Sequence, residues 1–391
     1  MNRRVIDVAV LSLLTAAFPA CSSSGATTPY AVAPQAMRND AKAAQYLYVY
    51  DAGSPGVYTG EYARYSIPDL SVQETTAASG LGSAQAFGKS GLPYFFDEAT
   101  GHSGFAVYSQ PVKKGVVPAT QEFYGVPCQS PSLSIGPTGN FYAVQYCSTN
   151  VLEYKSGPSK KAKKPIATYT GGNLGKSGII GPTYAAVDLK GNLYVGDNGG
   201  GVTYFAAGST KGIIAFPTNG GYVNQMVVDR NGDVWSVHGP NPTAVYFPDK
   251  KTCKPVKSGP VVRNEYGERF SKGKLVAHLY TETSDSPLFS DNGVSIAIDS
   301  KGRVYTGNQN NGISGVVLDF DPKASCPNDG LSFALDMGAL PQVAVDTTGT
   351  FYVTDYRDNT ISAYKSASTK LLKKITQKKS LVAITYAAVS P

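Results

Sequence analysis

Ala185–Asp197 reads AAVDLKGNLYVGD, and this stretch decides the fold. Two short apolar runs flank the tetrapeptide Asp188-Leu189-Lys190-Gly191. An Asp side chain can accept hydrogen bonds from backbone two residues on, and Gly adopts positive φ at no steric cost. The stretch therefore predicts two antiparallel strands joined by a tight hairpin.

The same pattern recurs along the chain as an internal repeat. Clear copies are MVVDRNGDVWSVH at 226–238, IAIDSKGRVYTGN at 296–308 and VAVDTTGTFYVTD at 343–355. Weaker copies are SIGPTGNFYAVQ at 134–145 and QAFGKSGLPYFFD at 85–97, while YLYVYD at 46–51 carries only the second half. The aromatic residues of the second strands lie 41 to 70 residues apart: Tyr48, Tyr94, Tyr142, Tyr194, Trp235, Tyr305 and Tyr352.

Repeats of this length predict an all-β fold, a β-propeller of about seven four-stranded blades, with six blades as the alternative. Each copy continues into a third strand that ends in an aromatic residue, as in 151–154, 202–205, 244–247, 317–320 and 361–364. A parallel sheet with crossover helices does not fit, because no amphipathic helix pattern separates the strands. The last strand, 385–389 (TYAAV), repeats 183–187 and is expected to complete the first blade, which would close the ring and leave no open edge.

The N-terminus predicts export. Arg3 and Arg4 precede an apolar stretch from Val8 to Phe18, which is short for a membrane span. It leads to Cys21 and then Ser-Ser-Ser-Gly, which resembles a bacterial lipoprotein signal. We expect a signal peptide over 1–21 ending at the lipidation residue Cys21, a flexible tether over 22–45, and the propeller over 46–391 with an insertion at about 250–290. An ordinary secretory peptide is the alternative.

The cysteines agree with an exported chain. Beyond Cys21 there are Cys128, Cys147, Cys253 and Cys326, an even number without the CxxC spacing of zinc sites. Cys128 and Cys147 flank the predicted hairpin of the third blade, so a bond between them is plausible. Cys253 and Cys326 follow the third strands of adjacent blades, where a second disulfide is an option.

The repeat resembles those of NHL-type and streptogramin-lyase-type propellers, whose hallmark is a VAVDxxGNLYVxD run followed by an apolar-x-x-aromatic strand. The resemblance covers nearly all of residues 46–389 and implies a fold rather than a function, since such propellers include enzymes, ligand binders and scaffolds. Streptogramin lyases use a His with a divalent metal. No local motif transfers that His to this chain, and His238 is the nearest candidate.

A polar residue follows each repeat aromatic by three positions. These residues are Asp51, Asp97, Gln145, Asp197, His238, Asn308 and Asp355. In a propeller they would form a loose ring around the mouth of the central channel, where they could coordinate a hard cation or hydrogen-bond a sugar or peptide. Alternatively, each residue caps its own loop. His238 and Asn308 depart from the Asp pattern and are the better functional candidates.

Lysine clusters follow several third strands, which places them on the face opposite this ring. Such a face could meet anionic lipid or polysaccharide, or the lysines could protect edge strands and keep the protein soluble. The predicted insertion mixes charged and aromatic residues, among them Arg263, Glu265, Tyr266 and His278. It could carry function or form a long outer hairpin.

The sequence predicts an exported, membrane-anchored ligand-binding or protein-interaction scaffold on the outer membrane or cell surface; otherwise the protein is secreted or periplasmic. The alternative is a metal-dependent lyase or lactonase-like enzyme with its site at the channel mouth. No HExxH, GxSxG or Walker-type motif is present. We predict no cofactor, although a divalent cation is an option. The expected partners are an unidentified surface ligand or protein and the membrane, through the N-terminal lipid. We expect no nucleic acid partner, because the chain is exported, and a monomeric state.

Overall fold

The structure is a computed structural model, and it describes a defined part of the chain. The described residues are 45–51, 60–78, 85–87, 93–97, 104–107, 121–124, 132–145, 149–155, 164–170, 181–217, 222–239, 243–247, 254, 256–259, 261–282, 292–310, 314–320, 331–337, 342–355, 358–376 and 384–389. All regular structure within these ranges is β-strand, which confirms the predicted all-β class. Among the same residues there is no apolar helix of membrane-spanning length.

The described strands pair into seven antiparallel sheets, numbered here in chain order. Sheet 1 contains β29 (Ile384–Val389), β1 (Tyr46–Asp51), β2 (Gly60–Ser66) and β3 (Val72–Ala78). Sheet 2 contains β4 (Gln85–Phe87), β5 (Pro93–Asp97), β6 (Gly104–Val107) and β7 (Gln121–Tyr124). Sheet 3 contains β8 (Leu133–Ile135), β9 (Phe141–Gln145), β10 (Asn150–Tyr154) and β11 (Ala167–Tyr169). Sheet 4 contains β12 (Pro182–Val187), β13 (Leu193–Asp197), β14 (Val202–Phe205) and β15 (Ile213–Phe216).

The remaining sheets follow in the same way. Sheet 5 contains β16 (Val223–Val228), β17 (Val234–His238), β18 (Thr243–Phe247), β19 (Val261–Ser271) and β20 (Lys274–Glu282). Sheet 6 contains β21 (Asn292–Ile298), β22 (Val304–Asn310), β23 (Ser314–Phe320) and β24 (Leu331–Met337). Sheet 7 contains β25 (Gln342–Val345), β26 (Phe351–Asp355), β27 (Thr360–Tyr364) and β28 (Leu371–Thr376).

The first strand of each sheet is its inner strand, and inner strands of successive sheets lie against each other. β4 contacts β8, β8 contacts β12, β12 contacts β16, β16 contacts β21, and β21 contacts β25, which contacts β29. The sheets therefore stand side by side with corresponding ends aligned, as in a propeller. We call the end with the first-to-second-strand hairpins the lower end. The end where second strands finish and inner strands begin is the upper end.

The hairpins at the lower end form as the Asp-x-x-Gly pattern predicts. Asp188 Oδ1 accepts from the backbone N–H of Lys190 at 2.8 Å and of Asn192 at 2.9 Å, and Gly191 has a φ of +85°. The equivalent bonds recur in the hairpins of Asp229, Asp299 and Asp346. In these four hairpins, one carboxylate acceptor and one left-handed glycine thus determine where the inner strand turns back.

The apolar core lies in layers between neighbouring sheets. Between sheets 4 and 5 the layer includes Tyr184, Tyr194, Val223 and Phe270, all fully buried. The two sheets approach so closely that a Cβ on Gly196 would lie 2.4 Å from Val223 Cβ. A residue with any side chain at this position would push the sheets apart.

Sheet 5 departs from the repeat, and here one prediction is wrong. The pattern assigned residues 244–247 as its third strand, but β17 pairs with β19 instead: Ser236 lies opposite Glu268 and Val237 opposite Gly267. β18 pairs with the first half of β19, on the same side as β17, and β20 pairs with the other side. β18 therefore extends the line of β17 beyond the upper end, and the predicted insertion supplies two strands of sheet 5.

Strands from both ends of the described chain meet in sheet 1. β29 pairs with β1, with Tyr48 opposite Ala388 and Val49 opposite Ala387. The inner strand of this sheet therefore comes from the C-terminal region, as the repeat of TYAAV predicts.

The hairpin of sheet 5 offers a direct optical test. Asp229 accepts two backbone N–H bonds and, through Oδ2, a bond from Nε1 of Trp235 at 3.1 Å; Trp235 is the single tryptophan. We expect Asp229→Ala to lower the free energy of unfolding by about 2–3 kcal/mol, because buried donors lose their acceptor. Native-state Trp235 emission should shift to the red. Urea denaturation followed by fluorescence measures both.

The matched control is Asp188→Ala, in the same hairpin position of sheet 4. There Oδ2 accepts from Asn192 Nδ2 at 2.7 Å rather than from a tryptophan. It should cost similar stability without moving the native emission. Wild-type stability in Asp229→Ala would contradict the structural role given to this carboxylate.

Candidate functional site

The structure places the predicted ring residues at equivalent positions of successive sheets. Gln145, Asp197, His238, Asn308 and Asp355 lie at or near the upper ends of β9, β13, β17, β22 and β26, and all five are buried. Asp51 and Asp97 end β1 and β5, but their side chains lie outside the described residues. Burial of these polar groups means that protein partners, water or a ligand must satisfy them.

Asp197 shows that loop capping accounts for only part of the predicted ring. Its Oδ1 accepts from the backbone N–H of Gly199 at 2.8 Å and of Gly201 at 2.9 Å, as the capping alternative predicts. Its Oδ2 is buried and has no hydrogen-bond partner among the described residues. Burial raises the pKa of Asp197, an effect opposed by these two backbone bonds and by the charge of His238 in the next sheet.

His238 belongs to a buried cluster that the repeat pattern did not reveal. Ser236, His238 and Glu268 are at most 2% exposed. Ser236 Oγ donates to Glu268 Oε2 at 2.5 Å, and His238 Nε2 contacts the same carboxylate oxygen. Ser236 Oγ also lies 3.3 Å from His238 Nε2. Glu268 sits on β19, within the predicted insertion, and no local motif marks it.

This cluster does not have the arrangement of a nucleophilic triad. In a triad the serine hydroxyl gives its proton to one imidazole nitrogen, while the carboxylate holds the other nitrogen and stabilises the imidazolium that forms. Here Ser236 and Glu268 both meet Nε2, and the serine hydroxyl bonds directly to the carboxylate. The geometry therefore favours a fixed polar cluster over an activated serine.

The cluster lies between sheets 4 and 5. Phe216, at the end of β15 in sheet 4, has its ring centroid 6.2 Å from that of His238 and 6.4 Å from that of His278. Ser236, Glu268 and His278 form a cross-strand row over β17, β19 and β20. The arrangement combines an aromatic wall with carboxylate and imidazole groups, which suits recognition of a polar ligand with an apolar face.

Several buried polar atoms near the upper end have no hydrogen-bond partner among the described residues. They are Asp197 Oδ2, Glu268 Oε1, Asn308 Oδ1, Thr354 Oγ1, Thr360 Oγ1 and both side-chain polar atoms of Gln342. Asn308 donates through Nδ2 to Thr306 Oγ1 at 3.0 Å, which leaves its oxygen as the unmet group. Gln342 lies opposite Thr354, and Thr360 opposite Asp355, so these groups share one region of sheet 7. The set consists mainly of hydrogen-bond acceptors.

No three His, Cys, Asp or Glu side chains within the described ranges come together in a way that could hold a metal ion. The divalent cation therefore stays a prediction, and two of its candidate ligands, Asp51 and Asp97, have side chains outside those ranges. All five cysteines also lie outside the described residues: Cys21, Cys128, Cys147, Cys253 and Cys326. No disulfide is found within the described part of the chain. Lipidation and both disulfides stay predictions.

Comparison with known proteins supports the fold. No family model matches the chain, and no curated protein matches its sequence. Among solved structures, it is similar to a protein from Bacteroides uniformis described as a candidate 6-phosphogluconolactonase, with a TM-score of 0.62 and 9% identity over 88% of this chain and 99% of that one. Hydrazine synthase of Kuenenia stuttgartiensis has a TM-score of 0.54 and 15% identity over 78% and 90% of the two chains.

AztD from Citrobacter koseri, in its apo form, has a TM-score of 0.53 and 11% identity over 88% of this chain and 98% of its own. All three have propeller-type folds. At these identities the likeness shows the fold alone, so the chain is a propeller-type protein whose function must be argued from its own residues.

Replacing His238 tests how much its contact with Glu268 contributes to the free energy of unfolding. His238→Ala leaves Glu268 buried with one contact fewer, and we expect a loss of about 3 kcal/mol in the free energy of unfolding. Adding Glu268→Gln should recover part of that loss, because the uncharged amide is less costly to bury. Urea denaturation of the two single variants and the double variant gives the coupling free energy. Strictly additive effects would contradict the contact.

Asp197→Asn should change how stability depends on pH. The folded-state pKa of Asp197 is raised above the usual 3.8, so its contribution is full below about pH 3.8 and is lost as pH rises through the folded-state value. Asn cannot ionise, so the variant should melt above wild type at pH 7, with the gain shrinking toward pH 4. Melting curves across this range measure the effect. The exposed Asp358 provides the control, since Asp358→Asn should follow the wild-type curve.

Proposed function

We propose that this protein is an exported, membrane-anchored propeller whose upper end binds a hydrogen-bond-donating ligand, such as the hydroxyl groups of a glycan. The observation that carries the proposal is a group of buried acceptors from sheets 4 to 7 that find no hydrogen-bond partner in the part of the chain that the structure describes, including Asp197 Oδ2, Glu268 Oε1 and Asn308 Oδ1. Sugar hydroxyls donate hydrogen bonds, and their ring faces pack on aromatic side chains such as Phe216.

The energetic argument concerns the cost of unmet polar atoms. A buried acceptor without a donor costs roughly 1–3 kcal/mol, and native proteins hold few of them. Ordered water can supply the missing donors in the free protein. A ligand that replaces such water with hydroxyl groups of matching geometry keeps those hydrogen bonds and gains the release of the water. The acceptors therefore select a donor-rich ligand.

The envelope location is the second part of the proposal. It is supported by the apolar stretch before Cys21 and by the polar tether that follows. The pairings Cys128–Cys147 and Cys253–Cys326 belong to the same proposal, because disulfides persist in oxidising compartments. A lipidated Cys21 would hold the propeller on an outer membrane or cell surface.

Binding is favoured over catalysis by the geometry of the buried cluster. Ser236 and Glu268 both contact Nε2 of His238, and the Ser236 hydroxyl bonds to Glu268, so the carboxylate does not hold the opposite nitrogen as in a triad. For the metal-dependent lyase or lactonase-like alternative, the support is the family resemblance of the repeat together with the fold likeness. We therefore place the non-enzymatic binding module first.

The binding proposal is tested with a glycan array followed by calorimetric titration of the strongest binder into the full chain. The double variant Asn308→Leu with Thr354→Val removes two unmet acceptors at nearly constant volume. We expect it to weaken binding at least tenfold, because each lost hydrogen bond contributes about 1 kcal/mol.

The matched control is Asp299→Asn. Asp299 Oδ2 is also buried and unpartnered among the described residues, but it lies in the hairpin at the lower end. This variant should bind as wild type does. An array without any binder, or equal affinity in the double variant, would contradict the proposal.

A further inference from the structure

The lower end of the propeller carries a set of exposed cations. They lie in first-to-second-strand hairpins and in turns between outer strands of sheets 4 to 7. The set is Lys190, Lys211, Arg230, Lys272, Lys301, Lys365 and Lys370, all exposed. Two salt bridges are found among the described residues, His238–Glu268 and Arg269–Asp233, so none of these cations is in an ion pair there.

Among the described residues at the lower end, most carboxylates are buried. Asp188, Asp229, Asp299 and Asp346 are buried in their own hairpins, where they accept backbone hydrogen bonds. Among the described side chains at this end, the exposed carboxylate is Asp69, which accepts from Ser66 Oγ at 2.5 Å. Among the described residues, the hairpins thus bury their carboxylates and expose their cations, an arrangement that favours a positive potential at this end.

Large apolar side chains accompany the cations. Leu189, beside Lys190, is 47% exposed, and so are Leu371 and Leu372 next to Lys370. Two of the cations, Lys365 and Lys370, flank one turn of sheet 7, and the whole chain has a net charge of +7. Cations mixed with exposed leucines suit a lipid surface better than a soluble polyanion, because leucines gain free energy only where they leave water.

Gln45, the first described residue, lies at the same end of the propeller. Gln45 precedes β1, and its Oε1 accepts from the backbone N–H of Thr347 at 3.1 Å and from Thr347 Oγ1 at 2.7 Å. Thr347 lies in the hairpin between β25 and β26, at the lower end of sheet 7. Gln45 therefore lies against the lower end of sheet 7, the sheet whose β27–β28 turn contains Lys365 and Lys370.

We propose that the lower end is a docking surface for an anionic phospholipid membrane. Lysine and arginine side chains meet the headgroups, and Leu189 and Leu371 enter the interface. The upper end then points away from the membrane, open to ligands. The surface does not depend on the ligand proposed above, and vesicle binding can fail or succeed separately from glycan binding.

The test is vesicle co-sedimentation of the full chain carrying Cys21→Ser, which prevents lipidation. Vesicles of phosphatidylcholine alone are compared with vesicles containing 30 mol% phosphatidylglycerol, a content of about one anionic lipid in three. We expect binding to the anionic vesicles at least tenfold tighter, and weakened by 0.5 M salt because screening shortens the range of the field. The quadruple variant Lys190→Gln, Lys272→Gln, Lys301→Gln and Lys365→Gln should lose at least tenfold of that binding.

The matched control removes four lysines elsewhere: Lys254→Gln, Lys257→Gln, Lys373→Gln and Lys374→Gln. Lys254 and Lys257 lie in the β18–β19 connection and the other two on the rim strand β28, and all four are exposed. It has the same net charge as the test variant, so vesicle binding near the wild-type level supports a localised surface. Trp235 emission checks that both variants are folded.

Three results would overturn the proposal. Equal binding to neutral and anionic vesicles shows that charge does not matter, and an equal loss in the control shows that the effect is not local. Heparin binding by the wild type that the four lower-end substitutions abolish, without binding to anionic vesicles, would assign the surface to a soluble polyanion instead.

Discussion

The rest of the structure depends on how the inner strands satisfy their free edges. Each inner strand is the edge of its own sheet, so one row of its N–H and C=O groups has no strand to pair with. Side chains of the neighbouring inner strand bond to some of these groups. The bonds run from Ala185 N–H to Ser132 Oγ at 3.3 Å, from Ile296 N–H to Gln225 Oε1 at 2.6 Å, and from Val343 N–H to Ser295 Oγ at 3.2 Å.

These bonds recur at one level of the fold and therefore fix how the sheets stand relative to one another. Each acceptor residue lies four residues before the first residue of the hairpin turn in its own sheet, as Gln225 does before Asp229. Each donor residue lies three residues before the corresponding turn residue of the next sheet, as Ile296 does before Asp299. Thr183 Oγ1 donates a hydrogen bond to the carbonyl of Val223 at 2.7 Å, which links the inner strands of sheets 4 and 5 in a similar way. Because the levels match, the upper ends of all these sheets coincide, and side chains from sheets far apart in sequence are gathered there.

The repeat made the strands and hairpins predictable because each copy contains its own local cause. Asp188 and Gly191 act within four residues, so their effect can be read from one stretch. Sheet 5 could not be predicted in the same way. Residues 244–247 carry the apolar-x-x-aromatic pattern of a third strand, and only tertiary pairing shows that β19 takes that place beside β17.

In the candidate site, too, the repeat predicted some residues, whereas others are brought together only by tertiary structure. The positions of Asp197, His238 and Asn308 follow from the repeat, since each ends or nearly ends a second strand. Glu268 could not be found, because it reaches His238 across 30 residues of non-repeat sequence. The strand order predicted lysine clusters on the face opposite the ring, but it did not single out the cations of the hairpins such as Lys190 and Lys301. Nor does the sequence show that Asp229 and its equivalents are buried, because burial depends on tertiary packing.

The pairing of β1 with β29 has a consequence for biosynthesis. Sheet 1 lacks its inner strand until residues 384–389 have been synthesised, so one edge of β1 stays unpaired until β29 is available. A truncated product keeps an exposed strand edge, which is a template for pairing with other chains. Sheet 1 can therefore assemble fully only in a chain that extends through β29, because only that strand covers the free edge of β1.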